Sequence, residues 1–257
     1  MEKNKAIGVF DSGVGGISVL ARAAQCLPHE NFIYYADTAN FPYGDQNPKI
    51  IKAGLIKAAQ TMAENGVKAI VVACNTATSV AIEDIREIYN FPILGMEPAL
   101  KPAVEKSANK TVAVIATTLT LRESKFRHLL AQCEDKGNII NLPAPGLADL
   151  VEGGHYNDDM AAAYIDNLFA GLEHLDSVVL GCTHYLFLEP IIKKHYPNVE
   201  IIDGGSGTVR NLCRILQAED LLSLENNGEI KVFSSKPELF IPQFQGYYDY
   251  IQKVISE

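Results

Sequence analysis

The apolar run Ala69 to Val72 ends in Ala73-Cys74-Asn75-Thr76, and 108 residues later the run Ser177 to Leu180 ends in Gly181-Cys182-Thr183-His184. In both copies a β-branched segment delivers a cysteine to a turn rich in hydroxyls and amides. Unbroken Val/Ile runs read as parallel strands buried on both faces, and ligands of open α/β sheets bind beyond the carboxyl ends of such strands. Both thiols stand at that end. Three more pairs keep nearly the same offset: Val9 with Val114 at 105, Ile33 with Ile139 at 106, and Ile93 with Ile201 at 108. Four strands repeated in order imply an internal duplication. A period this long means duplicated domains, since short-repeat solenoids have periods of about 20 to 50 residues.

The expected fold class is α/β, with two pseudo-symmetric lobes, each a parallel sheet flanked by helices, and an active site in the cleft between them. Residues 1–96 and 206–257 are expected to form the first lobe, the C-terminal segment returning to it, and 97–205 the second. The pattern predicts strands at 6–10, 31–36, 92–95, 111–116, 138–142, 200–202 and 230–233 besides the two that carry the cysteines. Helices are expected to start near Ile17, and over 49–64, 79–89, 120–132 and 147–153, after Gly207, and over 247–255.

Composition narrows the function. At 257 residues and 47% hydrophobic content the chain can bury two moderate cores. Its 22 Lys and Arg against 31 Asp and Glu leave a formal charge of −9, which disfavours nucleic acid, and no basic run interleaved with aromatics appears. No stretch reaches the eighteen or so apolar residues of a membrane span, so no membrane partner is expected. Five cysteines are a sparse, odd set, and the N-terminal apolar run is too short for a signal peptide. A reduced, cytoplasmic protein follows. Homodimers are common among soluble proteins, and one is the expectation here.

A thiolate just before a helix N-terminus is stabilised by unpaired N–H groups and the helix dipole. Lowering its pKa from about 8.5 to about 7 raises the thiolate fraction at neutral pH from roughly 3% to about half, which suits a general base. One thiolate and one thiol on opposite faces of a tetrahedral carbon remove a proton from one side and return one from the other, which inverts the centre. That is the chemistry of a racemase or epimerase. The same termini, with Ser12, Asn75, Thr76 and Thr183, offer donors to a carboxylate.

Blander readings compete. Cysteine often packs as a small hydrophobe, and Cys26, Cys133 and Cys213, which lack polar turns, are read as core. A metal site would need more ligands than Cys182 and His184, so none is expected. Asp11-Ser12-Gly13-Val14-Gly15-Gly16 resembles a dinucleotide fingerprint superficially, with Asp37 following at a suitable distance. Its glycines nevertheless run GxGG, not GxGxxG, and no GxxxxGK[ST] occurs. Asp11 could instead cap the next helix, His184 could be a surface histidine, and Glu152, before Gly153-Gly154, fits a surface or a site role equally.

Four separated motifs, DSGVGG at Asp11, PYG at Pro42, ACNTAT at Ala73 and GCTHY at Gly181, resemble the glutamate racemase family across almost the whole chain. The resemblance implies cofactor-independent interconversion of L- and D-glutamate, a small-molecule substrate, supplying D-glutamate for peptidoglycan and hence for the cell wall and cell shape. It implies that Cys74 and Cys182 are the acid/base residues, assisted by Asp11, His184 and Glu152. Asp11, Ser12, Tyr43, Gly44, Asn75, Thr76, Thr183 and His184 would hold the substrate. Thr78 and Leu186 depart from the family, which commonly has serine and proline there. The alternatives are an aspartate or other racemase of the same superfamily, a two-lobed amino-acid-binding protein without catalysis, and a pyridoxal phosphate racemase, for which no lysine is nominated.

Overall fold

The structure, a computed structural model, describes residues 2–105, 111–172 and 174–256. Its strands are β1 (Ala6–Asp11), β2 (Phe32–Ala36), β3 (Val67–Val72), β4 (Ile93–Gly95), β5 (Thr111–Ala116), β6 (Asn138–Pro143), β7 (Ser177–Leu180), β8 (Glu200–Asp203) and β9 (Ile230–Ser234). Its helices are α1 (Ile17–Cys26), α2 (Pro48–Glu64), α3 (Asn75–Ile88), α4 (Leu100–Glu105), α5 (Thr118–Arg122), α6 (Ser124–Ala131), α7 (Leu147–Glu152), α8 (Asp159–Leu168), α9 (Glu189–His195), α10 (Gly205–Ala218) and α11 (Pro237–Val254).

Two parallel sheets result, ordered β4-β3-β1-β2-β9 and β8-β7-β5-β6. The four repeated strands take the same places in each, so the duplication seen as offsets in sequence is a duplication of topology. The extra strand β9 pairs in parallel with β2, Tyr34 opposite Val232. In each sheet the chain reverses direction beside the central strand, β1 or β5. Crevices beyond the carboxyl ends at such switch points are where α/β sheets bind ligands.

The strand period of two sorts residues between an inner and two outer cores. Ile7 and Val9 of β1, with Ala113 and Ile115 of β5, enter one apolar core shared by both sheets and by Phe240, Phe244 and Ile251 of α11. Phe10 turns to the other face, against Ile51, Leu55 and Met62 of α2 and Ile82 of α3. Val112 and Val114 likewise turn outward, toward Phe126, Leu129 and Leu100. Each fully buried aliphatic or aromatic side chain contributes about 1.5–3 kcal/mol, so the shared core is a principal bond between the halves.

Several elements differ from the sequence-based expectation. Helix α3 starts at Asn75, four residues before the expected Ser79, because Cys74 itself is the N-cap. The single helix expected over 120–132 breaks at Glu123, whose extended backbone separates α5 from α6. Helix α8, capped by the Asp158 side chain, has no counterpart among the expected elements. The last helix begins at Pro237, ten residues before the expected start. Pro237 needs no donor in the first turn, and burial of Phe240, Phe244 and Tyr247 carries the helix through Pro242. Cys26 is exposed, not core, because α1 buries nothing beyond Ala23.

At the far end of the first sheet Lys68 is buried with its ammonium on Glu30 and on the carbonyls of Lys3 and Leu221. The other Glu30 oxygen accepts from the Ser223 amide. Removing one partner of a buried pair costs about 3–5 kcal/mol, whereas replacing both with apolar groups is often near neutral. Lys68→Met is therefore expected to lose about that much in urea denaturation, and Lys68→Met with Glu30→Met to recover most of it. A single variant within about 0.5 kcal/mol of the parent contradicts the assignment.

Candidate active site

Each central strand end delivers a polar residue to one place. Beyond β1 come Ser12 and the glycine turn, beyond β3 comes Cys74, beyond β5 comes Thr117, and beyond β7 comes Cys182. Both cysteines lie two residues past their strands, and both line one cavity of about 480 Å³, its open side included. Ser12, Asn75 and Thr76 line it from the first sheet, Thr117, Thr183 and His184 from the second. Tyr43 and Gly44 complete the wall. Asp11 and Glu152 stand one layer behind.

The two thiols are readied differently. Cys74 Sγ accepts from the Ala77 amide at 3.4 Å and lies 3.9 Å from Ser12 Oγ. That capping geometry is the one expected to lower its pKa. The net effect is the reverse: burial, followed by the Asp11 charge, pushes the thiol well above its ordinary value, and the Ala77 amide only partly offsets this. Desolvation outweighs a helix terminus when the residue is only 6% exposed. Cys74 rests as the thiol.

Cys182 is followed by a 3-10 turn, Thr183–Leu188, and its side chain makes no capping bond. Its partner is His184, with Nδ1 3.6 Å from Sγ and Nε2 2.8 Å from Glu152 Oε1. Burial would lower the His184 pKa, but hydrogen bonds to Cys182 and Glu152, and their charges, hold it well above the ordinary value. The Glu152 oxygen also accepts from the Val14 amide at 2.6 Å. Thr183 Oγ1 donates to Asp11 Oδ2 at 3.0 Å, and Asp11 Oδ1 accepts from the Gly13 amide. Residues from beyond both sheets thus meet in one set of contacts, Glu152 on Val14 and Thr183 on Asp11 making the crossings.

Those contacts explain the glycines. A Cβ on Gly13 would stand 1.8 Å from Glu152 Oε1, and one on Gly15 would stand 2.3 Å from Thr183 Oγ1. The DSGVGG turn is bare so that side chains of the other sheet can lie on its backbone. Asp11 does not cap α1, whose N-cap is Gly16.

Other expected residues are placed as follows. Tyr43 meets the cavity, but its hydroxyl donates to Asp37 Oδ2 at 2.6 Å, where Asn40 also donates. Burial and then Asp37 raise its pKa, so the phenol stays protonated. Gly44 packs on Thr117, whose Cβ and Cγ2 would lie 3.0 Å from an added Cβ. Asn75 is 3% exposed, and neither atom of its amide has a partner among the described residues. A buried amide left open costs about 1–3 kcal/mol, which a ligand's carboxylate or ammonium can recover. Thr76 Oγ1 lies 3.1 Å from Thr117 Oγ1 and 3.0 Å from Thr120 Oγ1, joining α3 to α5 across the sheets. Thr78 ties β3 to β4, donating to the Val72 carbonyl and accepting from the Met96 amide.

Thr117 and Thr118 line the cavity and were not among the expected site residues. The duplication signals them: the 105-residue offset carries Ser12 to Thr117. Among the described residues no lysine or arginine lines the cavity, and an anionic group there would be held by neutral donors such as the α3 terminus. Among the described residues no group of three or more His, Cys, Asp or Glu is placed to hold a metal ion, and no helix is long and apolar enough to cross a membrane. What remains is a cavity with a thiol from each sheet, one beside a helix terminus and one beside a protonated imidazole.

The Asp/Glu/hydantoin racemase family profile matches residues 12–212. A glutamate racemase of Halothermothrix orenii is 47% identical over 233 residues, 89% of this chain and 92% of that protein. The structure of Thermus thermophilus glutamate racemase bound to β-chloro-D-alanine is similar with a TM-score of 0.79 at 32% identity, over 99% of this chain and 94% of that one. Escherichia coli glutamate racemase with L-glutamate and the activator UDP-MurNAc-Ala gives 0.83 at 29% identity, over 95% of each.

Asp11 supplies a measurable signature of the buried site. Burial raises its pKa from 3.8 to about 6, against the opposing pull of His184, the Gly13 amide and Thr183. Between those values the folded chain binds the proton that the unfolded chain has released. The ionised carboxylate therefore destabilises the fold above pH 6, by roughly 3 kcal/mol, and the penalty fades as pH falls toward 4. Asp11→Asn is expected to raise the melting temperature at pH 7.5 and to match the parent near pH 4. An equal gain at both pH values refutes the burial account.

Proposed function

The chain belongs to the Asp/Glu/hydantoin racemase family, and from that premise we propose that it is a cofactor-independent glutamate racemase working through Cys74 and Cys182. The observation that carries the reading is that two thiols at matched strand ends of different sheets open on one cavity. One sulfur takes the α proton of the bound amino acid as the other delivers a proton to the opposite face. The C–H bond broken on one side is replaced on the other, and the two sulfurs exchange protonation states. No redox step is needed.

The neighbours divide the labour. His184, held by Glu152, keeps its proton and stabilises the Cys182 sulfur whenever that sulfur is the thiolate. Asp11 orients Thr183 and the glycine turn. Cys74, a thiol at rest, suits the donor role first. In the other direction the ammonium group of the amino acid brings the positive charge that favours its thiolate. Ser12, Asn75, Thr76 and Thr183 hold the substrate with the Tyr43-Gly44 wall, and we add Thr117 and Thr118 to them. The Tyr43 hydroxyl, already committed to Asp37, contributes shape more than a bond. Glutamate is favoured as substrate by the relatives of that name and by the L-glutamate bound to the E. coli enzyme. The same reading includes D-glutamate supply for peptidoglycan in the cytoplasm, a homodimer, and lobes divided as 1–96 with 206–257 and 97–205; the sheet membership of β9 supports that division.

Purified protein without added cofactor is expected to interconvert the glutamate enantiomers, seen by circular dichroism, and to incorporate solvent deuterium at the α carbon, with aspartate reacting poorly. Cys74→Ala and Cys182→Ala are each expected to lower kcat by roughly 10³-fold or more in both directions. Near-parental turnover in either variant rules out the two-thiol mechanism, and exchange of aspartate alone reassigns the substrate.

A further inference from the structure

The residues that ready Cys182 sit on two short segments. Helix α7, six residues long, ends at Glu152, and the 3-10 turn Thr183–Leu188 carries His184. A helix this short is marginal by itself, and its last carbonyls have no partners within the helix. The Val151 carbonyl accepts from the Gly154 amide just past the helix, and the Tyr247 hydroxyl of α11 lies 2.8 Å from the Glu152 carbonyl and 3.1 Å from that of Val151. One turn on, the Tyr250 hydroxyl donates to the Phe187 carbonyl in the 3-10 turn at 3.2 Å. The rings close the arrangement, Tyr247 edge-on to Phe187 with centroids 5.8 Å apart and Tyr250 stacked on Phe187 at 6.0 Å.

We propose that α11 is the positioning element of the Cys182 half of the site, the Tyr247 hydroxyl holding the end of α7 so that Glu152 meets His184. This rests on reading Cys182 and His184 as a proton-transfer pair. Burial and the Glu152 charge raise the Tyr247 pKa to about 12, so the hydroxyl remains a donor throughout the working range. The device serves one thiol only. The partners of Cys74 are Ser12 and Ala77, and α3 lies in a separate core cluster from α11. The groups facing His184 are Cys182 and Thr183 beside it, Asp11 from β1, and Asp149 and Glu152 from α7. Of the segments that carry them, it is α7 that the Tyr247 hydroxyl holds.

The test is a double-mutant cycle of Tyr247→Phe and Glu152→Gln, each keeping the shape of the side chain, with the His184 imidazole titrated by NMR. Tyr247→Phe is expected to lower kcat more than KM changes, by roughly 10- to 100-fold, as a misplacement of about 1 Å does. His184 should then titrate at lower pH, because burial acts on it without its carboxylate partner, while the other histidines stay put. In the Glu152→Gln background the tyrosine substitution should add nothing. Multiplying losses, or an unmoved His184 titration, overturn the inference. If the parent protein fails to racemise glutamate, the functional reading falls, and the titration still decides this one. Should Tyr247→Phe not fold, Tyr250→Phe tests the other α11 anchor, at the Phe187 carbonyl of the turn that carries His184, and an unmoved His184 titration there overturns the role of α11.

Discussion

The contact on which the rest of this structure depends is the imidazole of His184, set between Cys182 and Glu152 and laid on the bare backbone of the Gly13–Gly15 turn. Both partner contacts and the turn are buried or nearly so, and His184 Nδ1, His184 Nε2 and Glu152 Oε1 each meet another protein group. The contact joins an element after β1 to elements after β6 and β7, and so fixes one sheet's site against the other's. Side chains on Gly13 or Gly15 would not fit between them.

The two halves repeat a topology without repeating an electrostatic solution. Cys74 caps a helix, yet burial and the Asp11 charge keep it protonated, whereas Cys182 has no capping bond and relies on an imidazolium. Because burial penalises charge at Asp11, Cys74 and His184, the site stores free energy that neutral residues would not. Such a trade of stability for reactivity is common where groups must change protonation state.

The shared inner core and the returning C-terminal segment hold the arrangement together. The chain leaves the first sheet after β4, builds the second, and comes back through α10, β9 and α11, whose aromatic face enters the same core as both sheets. At the opposite end of the first sheet, Lys68 and Glu30 tie the N-terminal segment to residues 221–223. The site therefore rests on contacts far apart in sequence.

Several features were set by sequence alone. The strand-to-cysteine repeat, with its nearly constant offset, determined the parallel sheets, their duplication and the placing of both thiols at carboxyl ends, because strand period and β-branched content act locally. The glycine turn and the Asn75-Thr76 pair were readable as polar strand ends. Tertiary structure alone decided which polar groups meet: that Glu152 reaches His184, that Asp37 takes the Tyr43 hydroxyl, that Thr117 faces Thr76, and that the aromatics of α11 carry a helix past Pro242. It also decided the charge state of Cys74. Local pattern reports a helix terminus beside a sulfur, but desolvation depends on everything packed around it, and that sum exists only once the chain has folded.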